Sequence, residues 1–321
     1  MLTSEAVKQI ALNAGADLVG IASMDRWEGA PGHSDARQIA PDAKSMIVLG
    51  FRIPRGTLRG IEEGTFYISY SSMGYAAINF ILQPMVIWQI TAAIEESGYE
   101  AVPIHNNYSW SSYQMHWGNG EKEGWSVPAG PGKPAPDVFV PIRLAAFMAG
   151  LGEIGWSKMF LSPKFGPRQR LACIITDLPL EPDEIYSGPQ LCDRCMACVR
   201  DCTGNALSAD ESVKLTVAGH DLEWGELDEA KCGTYFSGGS EEYNPFMVTE
   251  EDREGFQTDP RVASPHSYKV TPTYEYGRAL EGARGCLRAC MVHLEEQGKL
   301  TNTFDQPFRR RPQWRLGWPR E

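Results

Sequence analysis

Within the stretch LCDRCMACVRDC (191–202), cysteines stand at 192, 195, 198 and 202. Gaps of two, two and three residues suit thiolates wrapping a cubane iron–sulfur cluster, with three bound to one cluster and the fourth reaching a second. The thiolate that completes the first cluster then comes from a distant segment, and GCLRAC (285–290) supplies Cys286 and Cys290 with three residues between them. The arithmetic predicts a first cluster held by Cys192, Cys195, Cys198 and Cys290. A second is left with Cys202, Cys232 and Cys286, one thiolate short, because Ala283 stands where a two-spaced partner would. That second cluster is either [3Fe-4S] or a [4Fe-4S] cluster with a non-cysteine ligand. Zinc is the competing metal, but the run is denser than the paired spacing of zinc ribbons. Thr203 and Met291 occupy the positions where proline commonly follows the fourth cysteine of such loops. Cys173, inside the apolar RLACIIT, reads as a small core residue.

A second pattern, GLGEIG at 150–155, satisfies G-x-G-x-x-G, with Asp177 downstream. A dinucleotide fingerprint needs a strand before it and a helix opening from it. The preceding VPIRLAAFMA has helical spacing, so a glycine-rich turn ending a helix is the better reading, and nicotinamide is left out.

The elements that must position these residues follow from periodicity. MLTSEAVKQIALNAG reads as an amphipathic helix capped at Thr3 or Ser4. ADLVGIAS, SMIVLGFRI, YEAVPI and RLACIITDLPL read as strands, the last a central one. A long helix follows YSSM (70–73) and stops at Gly98. The span 105–136, rich in Gly, Pro, Trp and Tyr, is too long for a simple connection. The order of elements predicts an α/β or α+β domain over 1–185, then a ferredoxin-like module over 186–321, joined near EPDEIYSGP.

At 321 residues, the chain can bury two cores, and its composition, 42% hydrophobic and 22% charged, is ordinarily globular. A net charge of −11 disfavours nucleic acid as the main partner. The basic run RRRPQWR (309–315) is expected to pack on the body or stay solvated. The N-terminus shows no signal-peptide pattern and no twin arginine, and the apolar stretch at 76–94 carries Asn79, Gln83, Pro84 and Gln89. A cytoplasmic protein without a membrane partner is expected, its cysteines serving as metal ligands and not as disulfides.

AGLGEIG (149–155), SPKFGPRQRLACIITDLPLEPD (162–183) and the cysteine run, in that order, closely resemble the corrinoid-dependent reductive dehalogenases. The resemblance covers roughly residues 65–300. It implies a nitroreductase-like, cobalamin-binding domain followed by a two-cluster ferredoxin module. The family's tyrosine at the head of a helix, in a Tyr-Ser-x-Met context, corresponds to Tyr70. Its polar pocket residue after GYEAVP falls on Asn106, and the arginine of its Gly-Pro-Arg segment on Arg168. Gly150, Gly152 and Gly166 are implied as cofactor-binding. Epoxyqueuosine reductases share the architecture and act on transfer RNA. The aspartate they carry upstream of AGLG aligns with Pro136, one residue from Asp137.

The resemblance further implies single electrons passing from the clusters to a base-off cobalamin, reducing cobalt toward Co(I) and breaking the carbon–halogen bond of an organohalide. Tyr70, with a reference pKa near 10, would protonate carbon, and the permanently charged Arg168 would stabilise the tyrosinate. The electron donor would be a separate ferredoxin or flavodoxin. The aromatic residues Tyr108, Trp110, Tyr113, Trp117 and Trp125 suit either an aromatic substrate, a corrin face or an anchored surface loop. His105 and His116 receive no role, and the acidic stretch 241–254 suits a donor surface or a solvated face. The alternatives are an epoxyqueuosine-type reductase and a pure electron carrier.

Overall fold

Thr3 opens the first helix, Ser4–Ala14 (α1): its Oγ1 accepts the Ala6 N–H at 3.2 Å, and Gly15 closes the helix at φ +119°. The computed structural model describes residues 2–106, 126–236, 238–246 and 285–317. Strands Leu18–Ser23 (β1), Ser45–Arg52 (β2) and Ala101–Ile104 (β3) are followed by the short pair Glu153–Ile154 (β4) and Phe160–Leu161 (β5), then by Gln169–Thr176 (β6). The main sheet runs β1-β2-β6-β3, and every pairing in it is antiparallel. The architecture is therefore α+β, one of the two classes the sequence left open.

The continuous apolar character of β2 and β6 has a simple cause, since both faces of the sheet are covered. Ile47, Leu49, Phe51, Ala172 and Ile174 face one core, shared with α1 and the long helix. Met46, Val48, Leu171, Cys173 and Ile175 face the other, closed by Ile142–Met148 (α4). Period-two alternation sends successive residues to opposite faces, and here both destinations are apolar.

A short helix, Arg59–Glu63 (α2), precedes the long one. The latter begins as a π-helix, Tyr70–Leu82, and continues as Gln83–Glu96 (α3), with Pro84 in the first turn, where its missing N–H costs nothing. Together, Tyr70–Glu96 is long and apolar enough to cross a membrane by length and composition. Its inner face, including Tyr70, Ile78, Val86, Ile90 and Ile94, belongs to the core.

The second half holds Ala197–Arg200 (α5), a hairpin of Leu207–Val217 (β7) and His220–Leu227 (β8), Glu229–Phe236 (α6) and Cys286–Glu296 (α7). Leu287, Met291 and Val292 of α7 join the same core as the main sheet, as does Phe308. The basic tail packs on the body. Arg309 bonds Glu62 at 2.9 Å and Asp201 at 3.2 Å, and the Trp314 indole N–H donates to the Ile61 carbonyl at 3.1 Å.

Candidate active site

The cysteine loop wraps tightly because Arg194 and Met196 adopt φ of +56° and +58°, the left-handed region that turns a backbone back on itself. A cavity results, bounded by Cys192, Cys195, Cys198 and Cys290 and walled by Trp156, Leu161, Leu191 and Leu294. Burial, reinforced by Cys192 and Cys195, pushes the Cys198 thiol up to about 12. Burial and the Cys192, Cys198, Cys286 and Cys195 neighbours push Cys290 well above the usual thiol value. Gathering four thiols this closely disfavours thiolates unless cationic iron offsets their repulsion.

A single zinc ion would draw its sulfurs to about 3.8 Å of one another, given Zn–S bonds of about 2.3 Å. Among the described residues, no three cysteine sulfurs lie within 4.8 Å of one another. The trio that does come so close is Asp193, Cys195 and His293 on the rim of this cavity, with His293 Nε2 2.8 Å from Asp193.

The remaining three cysteines assemble next door. Burial, then Cys232, Cys202 and Cys198, raise the Cys286 thiol to about 12. Burial, then Cys202, raise Cys232, which also has Glu229 and Asp228 close by. Cys202 Sγ accepts the Ala206 N–H at 3.3 Å. Cys198 influences Cys286, and Cys286 in turn influences Cys290, so the two sets of thiols adjoin.

Tyr70, at the start of the π-helix, is 1% exposed, and its hydroxyl accepts a hydrogen bond from Arg170 Nη2 at 2.8 Å. Burial raises the phenol above its ordinary pKa, while Arg170 pulls it down and Tyr75 and Cys286 push it up. The Arg170 guanidinium also lies over the Tyr75 ring, 4.4 Å from its centroid. This overturns the expected pairing of Tyr70 with Arg168. Arg168 is 1% exposed, donates to the Ile53 carbonyl and Asn302 Oδ1 at 2.9 Å each, and has its pKa lowered to about 10 by burial. The physical reason is position: Arg168 lies in the turn before β6, so strand alternation does not aim it, whereas Arg170 lies within the strand opposite Phe51.

Arg143, at the start of α4, was not singled out from the sequence. Its side chain is exposed, and desolvation by the surrounding protein lowers its pKa. Its charge is felt by Cys286, Cys232, Arg170 and Glu229, and its Nη1 donates to the Lys158 carbonyl at 2.9 Å. Tyr70, Arg170, Arg143, Cys232 and Cys286 therefore lie close enough to influence one another's charge.

The other expected positions divide. Asn106 donates its backbone N–H to Gln83 Oε1 at 3.1 Å, and among the described residues no hydrogen bond joins it to Tyr70 or Arg170. A Cβ on Gly150 would stand 2.1 Å from the Glu184 carbonyl oxygen, and one on Gly152 2.0 Å from that of Leu161. One on Gly166 would meet Leu294 at 3.0 Å. These three glycines thus press against protein on the side where a Cβ would stand. No helix opens from GLGEIG, whose Glu153 and Ile154 form β4. Tyr108, Trp110, Tyr113, His116, Trp117 and Trp125, and most of the acidic stretch 241–254, lie outside the described residues.

No protein-family model matches the chain. Over 187 residues it is 33% identical to the tetrachloroethene reductive dehalogenase of Dehalobacter restrictus, an alignment covering 55% of this chain and 26% of that relative. The chain is thus similar in sequence to the reductive dehalogenases. It spans about a quarter of the curated dehalogenases it matches (26%). A solved reductive dehalogenase, whose structure suggests a mechanism for B12-dependent dehalogenation, shares the fold. The TM-score is 0.53 at 20% identity, covering 99% of this chain and 41% of the dehalogenase. A solved epoxyqueuosine reductase aligns at 14% identity and a TM-score of 0.48, over 92% of this chain and 82% of its own.

Proposed function

We propose that the chain is a cobalamin- and iron–sulfur-dependent reductase that removes halogen from a small organic substrate. The observation that carries this reading is the closeness of the Tyr70–Arg170 pair to Arg143, Cys232 and Cys286. Cys192, Cys195, Cys198 and Cys290 would hold the first cluster, and Cys202, Cys232 and Cys286 a [3Fe-4S] cluster or a [4Fe-4S] cluster with one further ligand. The corrinoid would occupy the region between the second set of thiols and Tyr70, where it supplies the reductive cleavage of the carbon–halogen bond.

The chain's own residues would supply the proton and the electrostatics. Tyr70 would keep its proton at neutral pH, as any phenol with a pKa near 10 does, and burial raises that pKa further. Delivered to the substrate carbon, that proton leaves a phenolate on an oxygen already bonded to Arg170, a preset cation that needs no rearrangement. Arg143 would add a second fixed positive charge near the same groups. Electrons would arrive from a separate ferredoxin or flavodoxin.

Anaerobic reconstitution with iron, sulfide and cobalamin tests the reading. Cobalamin should comigrate with protein through a sizing column and change its absorbance on reduction. Cobalamin eluting free, or rescue of queuosine formation in a reductase-deficient strain, would displace it.

A further inference from the structure

The glycine-rich segment that resembles a nucleotide loop does its work on the first set of thiols. Glu153 Oε1 accepts the backbone N–H of Leu191 at 3.1 Å and that of Cys192 at 2.5 Å. Three residues on, the Trp156 N–H donates to Cys192 Sγ at 3.2 Å. One strand-and-turn segment therefore holds both the backbone and the sulfur of the same cysteine.

Its own placement is fixed on three sides. β4 pairs with β5, Glu153 opposite Leu161. The Trp156 carbonyl accepts the Gly225 N–H at 2.8 Å, and its indole N–H donates to the Ser208 carbonyl at 3.0 Å, both partners lying on the β7–β8 hairpin. Gly155 makes the approach possible, because a Cβ there would stand 2.9 Å from Leu161 Cδ1 and 3.6 Å from Cys192 Cβ. Trp156 itself walls the cavity that the four cysteines bound.

We infer that Glu153 is a positioning residue for the first iron–sulfur cluster, and that its carboxylate, with the Trp156 N–H, sets that cluster's potential. The inference rests on the cluster assignment proposed above. Hydrogen bonds to the sulfurs and local charge are among the terms that tune cluster potentials. The two act in opposite directions here. The N–H to Cys192 Sγ stabilises the more negative reduced state and raises the potential, while the carboxylate one residue's backbone away disfavours that state and lowers it. The negative charge would bias the first cluster toward passing its electron onward.

Glu153→Gln separates charge from geometry, because the amide oxygen can accept the same two N–H groups. Wild type and variant would be reconstituted with iron and sulfide, and the first cluster titrated by electron paramagnetic resonance, using Cys290→Ala to identify its signal. The expected result is an upward shift of that cluster's midpoint at unchanged iron content, with the second cluster's midpoint unmoved. An unshifted first midpoint, or equal shifts of both, overturns the inference. If Glu153→Gln fails to hold the first cluster, selective loss with the second signal and the thermal midpoint intact supports the positioning role. Loss of both clusters, or global unfolding, overturns it. A wild type that binds no iron at all would instead sink the proposed function.

Discussion

Arg170 Nη2 lies 2.8 Å from the Tyr70 hydroxyl, tying strand β6 to the start of the π-helix. The guanidinium opposes the effect of burial on the phenol and lowers its pKa from where desolvation alone would set it. An acid that is fully protonated at neutral pH yet stabilised as its conjugate base suits proton donation to carbon.

Tyr70→Phe should lower substrate turnover by about 100-fold or more while cobalt and iron contents stay at wild-type levels. Arg170→Gln should raise the Tyr70 pKa, since the change removes the group that lowers it. Ultraviolet titration of tyrosinate, with Tyr70→Phe as the subtraction, checks this: the Tyr70 step must move to higher pH.

Arg168→Gln should act on stability and leave that titration where it is. Its two hydrogen bonds, to Ile53 and Asn302, are charge-assisted. Losing them should cost about 1.5–3 kcal/mol per bond at most, read by chemical denaturation. A shift of the Tyr70 titration in Arg168→Gln would restore Arg168 to the site.

Cys290→Ala should remove the first cluster's signal and lower the bound iron, with the second cluster's signal remaining. Cys173→Ala should retain all the iron, because its thiol is sealed in the core facing α4 and burial holds it protonated, with a pKa of about 12. Iron and sulfide assays on the reconstituted variants decide between them.

Glu62 is buried and accepts bonds from both Arg288 of α7 and Arg309 of the tail. Glu62→Leu removes a carboxylate that both arginines bond, one of them, Arg288, being 1% exposed. A loss of about 3–5 kcal/mol is expected. Adding Arg288→Met should recover part of it, in a denaturant series on all three proteins.

The strands of the main sheet could be read from short apolar, β-branched runs bounded by turn residues, and α1, α4 and the long helix from their helical spacing. The strand direction could not, since a sheet covered on both faces gives the same unbroken apolar run whether parallel or antiparallel. The β7–β8 hairpin went unread, although Val213, Leu215 and Val217 alternate with Lys214 and Thr216. Its turn is Ala218–Gly219, both at positive φ, where Asn-Gly is the usual signal. Cys192 and Cys195 are neighbours of both Cys198 and Cys290, and Cys232 and Cys202 are neighbours of Cys286. Arg170 was overlooked because GPRQR offers two arginines, and only the backbone path out of the preceding turn decides which one reaches the phenol.

Cys286 and Cys290 sit four residues apart on α7, one in each set of thiols. Four residues of α-helix advance about 6 Å and return to nearly the same face. The interval between the two sets of thiols is thus a gauge cut into a single helical turn. Inserting or deleting one residue between them would swing one thiol about 100° around the axis. Loops on either side of the turn could change length without altering that interval, because the pitch of one helix sets it.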